Sequence, residues 1–229
     1  MSFSKNLSRV KRYFQVQVLG KENSKGDKKV LDSVLTLKLD YLKKEGWMDS
    51  VRYGLPVDEA GNPLPWFTYS SIHFIEGNIK ASHNVFEFGS GNSTQWFANR
   101  VKDVVSLEHD LKWYEKMKDP FSKYANISYH HKPLDTGTYE THINHFKDTF
   151  DIIIIDGRKR IECAKNSLSA LKQDGIIIWD NSDRDVYDEG YQFLVNNGFK
   201  RLDFWGLGPI NSYSWCTSVF YRPLNCFNI

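Results

Sequence analysis

The chain predicts an α/β protein built on a doubly wound, Rossmann-like parallel sheet, and three observations carry that expectation. Residues 85–94, V-F-E-F-G-S-G-N-S-T, read as strand, tight glycine turn and helix N-terminus. After Val85 short apolar runs alternate with helix-compatible segments, which implies parallel strands joined by crossover helices. Within that series F-D-I-I-I-I at 150–155 is apolar at successive positions, as expected of a strand covered on both faces.

The elements follow in order. Residues 1 to about 30 are polar and basic, and Gly20, Asn23, Ser24 and Gly26 interrupt any regular pattern. From 30 to 44, Val30, Leu31, Val34, Leu35, Leu37, Leu39 and Leu42 keep roughly helical spacing, with Gly46 as the stop. The turn-rich loop 54–65, with Pro56, Gly61, Pro63 and Pro65, marks a boundary between an N-terminal cap, 1–65, and a main domain, 66–229. The run 66–77 is helix-compatible and leads into a first strand at 85–88. Further strands are expected at 104–107, 127–131, 150–155 and 176–179, with helices at 94–100, 111–118, 139–147, 161–171 and 187–196. The last two strands, 199–205 and 214–221, have no helix between them, so they should form an antiparallel pair at one edge.

The length, 229 residues, suits one α/β domain with an appendage. A net charge of +2 argues against nucleic acid as a partner of the chain as a whole. The first thirty residues differ: Lys5, Arg9, Lys11, Arg12, Lys21, Lys25, Lys28 and Lys29 face only Glu22 and Asp27. Such an arm can touch phosphates or anionic lipid, although a solvated end is the plainer reading. Cys163, Cys216 and Cys226 sit at no metal or disulfide spacing, and an odd count suggests a reducing compartment. There is no apolar stretch of about 18 residues and no signal-peptide core, so a cytoplasmic protein without a membrane span is expected. The oligomeric state is left open, a homo-oligomer included. Trp47, Trp66, Phe67, Tyr69, Trp205, Tyr213 and Trp215 lie outside the strand cores; they pack loops on the sheet or line an acceptor pocket.

Ligands of such sheets bind beyond the carboxyl ends of the strands. The polar residues there are Glu87 to Ser93, Glu108 with His109, Asp135, Asp156 and the pair Asp180-Asn181. A carboxylate at Glu108, about twenty residues past the first strand, can accept both hydroxyls of a ribose, in NAD or in S-adenosylmethionine alike. A dinucleotide turn wants Gly or Ala at the place of Thr94, and the charge of Glu87 would repel a pyrophosphate. The ammonium and sulfonium of S-adenosylmethionine tolerate that charge. The balance moves from an NAD-dependent oxidoreductase to methyl transfer.

On these residues the chain from about 66 to 222 resembles the class I S-adenosylmethionine-dependent methyltransferases. E-F-G-S-G-N-S-T at 87–94 looks like their first motif, with Ser93 where the family has its third glycine. Glu108 looks like their ribose-binding acid, and F-D-I-I-I-I-D-G at 150–157 like their fourth strand and its motif. The resemblance implies a seven-stranded sheet with an antiparallel last strand. It also implies a cofactor site at Glu87, Phe88, Gly89, Ser90, Gly91, Asn92, Ser93, Glu108, His109, Asp135 and Asp156. A second, weaker resemblance is to metal-dependent O-methyltransferases of the catechol and macrolide-sugar type. It implies Mg²⁺ on Asp156, Asp180 and Asn181, and Lys159 as general base beside Asp156. Acids at strand ends also cap helices, and Lys159 lies in a charged R-K-R run, so plain structural roles stand beside these.

His130 and His131 point to opposite faces of one strand, and His142 and His145 read as a surface pair. Asp183 and Arg184 line an acceptor pocket or cap a helix. The expected activity is O-methylation of a small-molecule or sugar-like acceptor. An NAD-dependent oxidoreductase and an RNA-binding methyltransferase using the basic arm are the alternatives.

Overall fold

The computed structural model describes residues 25–229, so the expectation for the basic arm falls largely outside them. Helix α1, Lys25–Thr36, runs on into π-helical turns over Leu37–Leu42. Helix α2 spans Trp47–Tyr53 and α3 Tyr69–Asn78. Seven strands follow: β1 Asn84–Phe88, β2 Asp103–Glu108, β3 Ile127–His131, β4 Phe150–Ile155, β5 Leu171–Asp180, β6 Lys200–Gly206 and β7 Trp215–Tyr221. Helices α4 Asn92–Ala98, α5 Leu111–Phe121, α6 Thr138–Thr141, α7 Arg160–Ser167 and α8 Asp188–Asn196 connect the first six.

The strands form one sheet in the order β3-β2-β1-β4-β5-β7-β6. Strands β1 to β5 pair in parallel, and β7 is antiparallel to both its neighbours. The chain winds from β1 outward to β3 and then returns to the other side of β1 with β4. The order therefore reverses between β1 and β4, where an open α/β sheet leaves a crevice.

Alternation along the strands divides the core in two. Phe86, Phe88, Ile153, Ile155, Ile177 and Trp179 face Cys163, Ala164, Tyr191 and Leu194 of α7 and α8. Val85, Ile152, Ile154, Ile176 and Ile178 face Ile72 and Ile75 of α3 and Trp96 and Phe97 of α4. All six residues of β4 are buried, which is why its sequence shows no polar alternation. Truncating one of its isoleucines to alanine would cost about 2–5 kcal/mol.

The helix expected over 139–147 is a single α-turn, α6, followed by a 3₁₀ turn at His142–His145. Only Tyr139 and Ile143 of this stretch are fully buried, too narrow an apolar stripe to hold a longer helix on the sheet. The loop marked as a boundary is stitched to the ligand face of the sheet. Trp47 Nε1 donates to the Asn211 carbonyl at 2.8 Å, and Asn92 Nδ2 donates to the Pro56 carbonyl at 2.6 Å. Among the described residues no helix is long and apolar enough to cross a membrane.

At the crevice the ends of β1 and β4 touch through glycine. A Cβ on Gly89, whose φ is +97°, would lie 3.1 Å from the Gly157 nitrogen. A Cβ on Gly157 would overlap the Tyr139 hydroxyl and lie 3.1 Å from the Phe88 carbonyl. Gly157→Ala should therefore destabilise the protein by about 1–3 kcal/mol in urea unfolding. Tyr139→Phe removes a buried hydroxyl that has no hydrogen-bond partner. Added to Gly157→Ala, it should recover part of the loss; a double variant no more stable than the single one would show that the backbone contacts dominate.

Candidate functional site

The glycine turn is held from below by Glu87. Its carboxylate is 1 % exposed and accepts hydrogen bonds from Ser93 Oγ and Thr94 Oγ1, both at 2.5 Å, and from Ser106 Oγ at 2.9 Å. Burial pushes this acid up to about 7, while the three hydroxyls pull the other way. Glu87 thus braces the turn from inside instead of facing a ligand, which corrects the expectation that its charge selects the cofactor. A sequence shows that an acid follows a strand but not which way its side chain leaves the sheet.

Glu108, 4 % exposed, closes β2. Its Oε1 accepts from the His109 and Asp110 backbone N–H groups, both at 2.8 Å, and its Oε2 from Ser90 Oγ at 2.8 Å. Ser90 Oγ also meets the Tyr129 hydroxyl at 2.8 Å. The carboxylate is thereby tied to Ser90 of the glycine turn. Trp113 Nε1 donates to the Ser90 carbonyl at 2.9 Å. Trp113, which the sequence did not single out, joins Ser90, Gly91, Asn92, Ser93, Pro56, Trp66 and Asp156 around an enclosed cavity of about 120 Å³. Phe88 is fully buried in the core and contributes backbone alone. The Gly89 N–H donates to the Leu107 carbonyl at 3.0 Å. His109 lies beside Glu108, Nδ1 to Oε1 3.0 Å. Asp135 is exposed, in a 3₁₀ turn past β3.

A second cavity of about 430 Å³ opens at the ends of β4, β5 and β7, lined by Trp66, Asp156, Asp180, Asn181, Arg184, Asn211, Tyr213 and Trp215. Asp156 and Trp66 border both cavities, so the two adjoin at the switch point. Asp180 Oδ1 accepts from Trp215 Nε1 at 3.0 Å and from Thr217 Oγ1 at 2.5 Å. Asn181 is held in the left-handed region at φ +50°. Burial raises both Asp156 and Asp180 above the usual carboxylate range; nearby Arg160 opposes this for each, while Asp156 reinforces it for Asp180.

Arg160 is the residue that sequence reading missed. It is 6 % exposed, on the first turn of α7. Its Nη2 donates to Asp156 O at 2.8 Å, to Asp156 Oδ1 at 3.0 Å and to Asn181 Oδ1 at 3.3 Å. Its Nη1 donates to the Asp180 carbonyl and its Nε to the Gly157 carbonyl. The proposed magnesium ligands do come together, but around a guanidinium that already supplies the positive charge. One Asp180 oxygen is also committed to Trp215 and Thr217. This donor set does not fit Mg²⁺, which wants a near-octahedral shell of oxygens. Among the described residues no group of three or more His, Cys, Asp or Glu side chains could hold a metal ion.

Lys159, expected as general base, points elsewhere. Its Nζ donates to the Leu134 carbonyl at 2.7 Å and to Glu140 Oε1 at 2.8 Å, and it lines neither cavity. Turned away from both cavities, it is not placed to take a proton from an acceptor there. Among the histidines, His131 Nε2 lies 3.2 Å from the His109 carbonyl, and His130 meets His142 in a tilted ring contact with centroids 5.1 Å apart.

No protein-family model and no curated protein matches the chain. Solved structures do. One is precorrin-6y C5,15-methyltransferase from Geobacter metallireducens, with 14 % identity over 67 % of this chain and 87 % of that one and a TM-score of 0.54. Another is spermidine synthase from Thermotoga maritima, with 17 % identity over 67 % of this chain and 57 % of that one and a TM-score of 0.52. The likeness is one of fold: the chain has the Rossmann-like fold of the class I S-adenosylmethionine-dependent methyltransferases.

The brace under the turn has a pH signature. An acid that titrates near 7 folded and near 4.5 unfolded binds more protons in the native state between those values. Its contribution is full below about 4.5 and lost as pH rises to about 7, by roughly 3 kcal/mol. Stability of the native chain relative to Glu87→Gln, read from urea midpoints, should therefore fall over that window. A difference independent of pH would show that Glu87 is ionised throughout.

Proposed function

We propose that this chain is an S-adenosylmethionine-dependent methyltransferase acting on an oxygen of a small-molecule or sugar-like acceptor. One observation carries the reading: the cavity over the glycine turn, whose Ser90 is bonded to Glu108, adjoins at Asp156 a second cavity lined by carboxylates and amides. A cofactor and an acceptor placed in the two halves would meet at Asp156. The fold alone does not choose the activity, since one of its relatives is named a methyltransferase and another a spermidine synthase.

Glu108 and Ser90 would take the ribose hydroxyls, and the backbone of Gly89 to Asn92 would lie against the amino-acid portion. The cofactor, when bound, supplies an electrophilic methyl on a sulfonium. An acceptor hydroxyl in the larger cavity would take that methyl on its oxygen, leaving a neutral thioether, and would give its proton to the Asp156–Asp180 pair. Raised pKa values suit this pair to accept a proton near neutral pH. Arg160 holds both acids in register. Most of the rate would come from alignment of donor and acceptor, since methyl transfer asks little else of the protein.

Calorimetric titration with S-adenosylhomocysteine should show one site per chain, and Glu108→Ala should weaken it about ten-fold or more. Binding of NADH in its place would transfer the assignment to hydride chemistry. Turnover should be unaffected by EDTA, because Arg160 occupies the place a metal would take. Asp180→Asn keeps the acceptor for Trp215 and Thr217 but loses the base, and should lower kcat about 100-fold with cofactor affinity intact. Loss of turnover in EDTA, restored by Mg²⁺, would reinstate the metal site.

A further inference from the structure

We infer that the acceptor is an uncharged sugar, held with its ring against the aromatic walls of the larger cavity. The inference rests on the methyltransferase reading and narrows it. Trp66 is 43 % and Tyr213 62 % exposed, both at the mouth of that cavity, while Trp215 is locked behind them by its bond to Asp180. Large aromatic faces left open to water beside hydrogen-bonding groups are suited to a ligand with an apolar ring face and a polar rim.

The rim is polar in the required sense. Asn181 and Asn211 each offer amide donors and acceptors, and Asp156 and Asp180 offer acceptors, to whatever lies between the rings. A sugar presents several hydroxyls that both donate and accept, and its ring C–H faces pack on indole and phenol. A flat catechol would leave most of these polar groups unpaired, at about 1–3 kcal/mol each where buried.

Charge separates a sugar from an amine. Two carboxylates beside aromatic rings could form a cage for an ammonium ion. Here two guanidiniums offset the two carboxylates: Arg160, bonded to Asp156 and acting also on Asp180, and Arg184 in the lining itself, acting on Asp156. The wall therefore carries no net negative charge to attract a cation, and a neutral polyhydroxyl acceptor meets no desolvated charge of its own to bury.

The test uses the full chain. After calorimetry with S-adenosylhomocysteine, methyl transfer from S-adenosylmethionine is followed by mass spectrometry on methyl glycosides of common hexoses and 6-deoxyhexoses, on catechol and on putrescine. At least one glycoside should gain a single methyl group. Tyr213→Ala should raise its KM about ten-fold or more and leave S-adenosylhomocysteine affinity within about two-fold, since Tyr213 borders only the acceptor cavity. Methylation of catechol or putrescine in preference overturns the sugar assignment, as does an unchanged KM in Tyr213→Ala. Failure of every glycoside while S-adenosylhomocysteine binds overturns it and leaves the methyltransferase reading standing. Failure of S-adenosylhomocysteine to bind removes both.

Discussion

A buried guanidinium holds the ligand end of this sheet together. Arg160 ties the carbonyls at the ends of β4 and β5 to each other and supplies positive charge beside the buried Asp180 and the partly exposed Asp156. Without it the two acids would repel in a poorly hydrated place, and several carbonyls would lose their donor. Tyr187 stands under the same guanidinium at 5.4 Å, so the start of α8 is drawn into the arrangement. The larger cavity, the strand ends and the entry to α8 therefore share one anchor.

The glycine-turn side has a different anchor. The turn after β1 can approach β4 because Gly89 and Gly157 present no side chains, and it keeps its shape because three hydroxyls converge on Glu87. Glu108 is fixed by two backbone amides and Ser90. Both halves of the cleft thus rest on buried, nearly saturated polar networks. Such networks hold functional groups in place at the expense of tolerance to substitution.

Much of the fold was legible in the sequence because it is written in periodicity. The isoleucines of β4 could belong only to a strand covered on both faces, and the helix-free final pair could be joined only as antiparallel strands. Segments 139–147 and 161–171 were read as longer helices than they are, since local spacing does not say how far a surface stripe stays in contact. Site residues were legible as positions but not as directions. Glu108 turns toward the glycine turn, whereas Glu87, at the end of β1, turns into the interior. Lys159 and Arg160 are adjacent in a charged run, yet Lys159 pairs with Glu140 at the surface and Arg160 lies under the site. Arg160 opens α7, whereas Lys159 precedes it in the left-handed region at φ +49°. Trp113 was missed for the same reason: its partner, the Ser90 carbonyl, carries no mark in the sequence.

The central claim is that the glycine turn and the acid-lined cavity are two halves of one methyl-transfer cleft. A crystal structure of the chain grown with S-adenosylhomocysteine tests it most directly. The account predicts the ribose hydroxyls on Glu108 and the sulfur beside Asp156, facing the cavity bounded by Trp66 and Tyr213. A ligand bound away from Gly89–Ser93, or one whose sulfur faces away from Asp156 and Asp180, would contradict it.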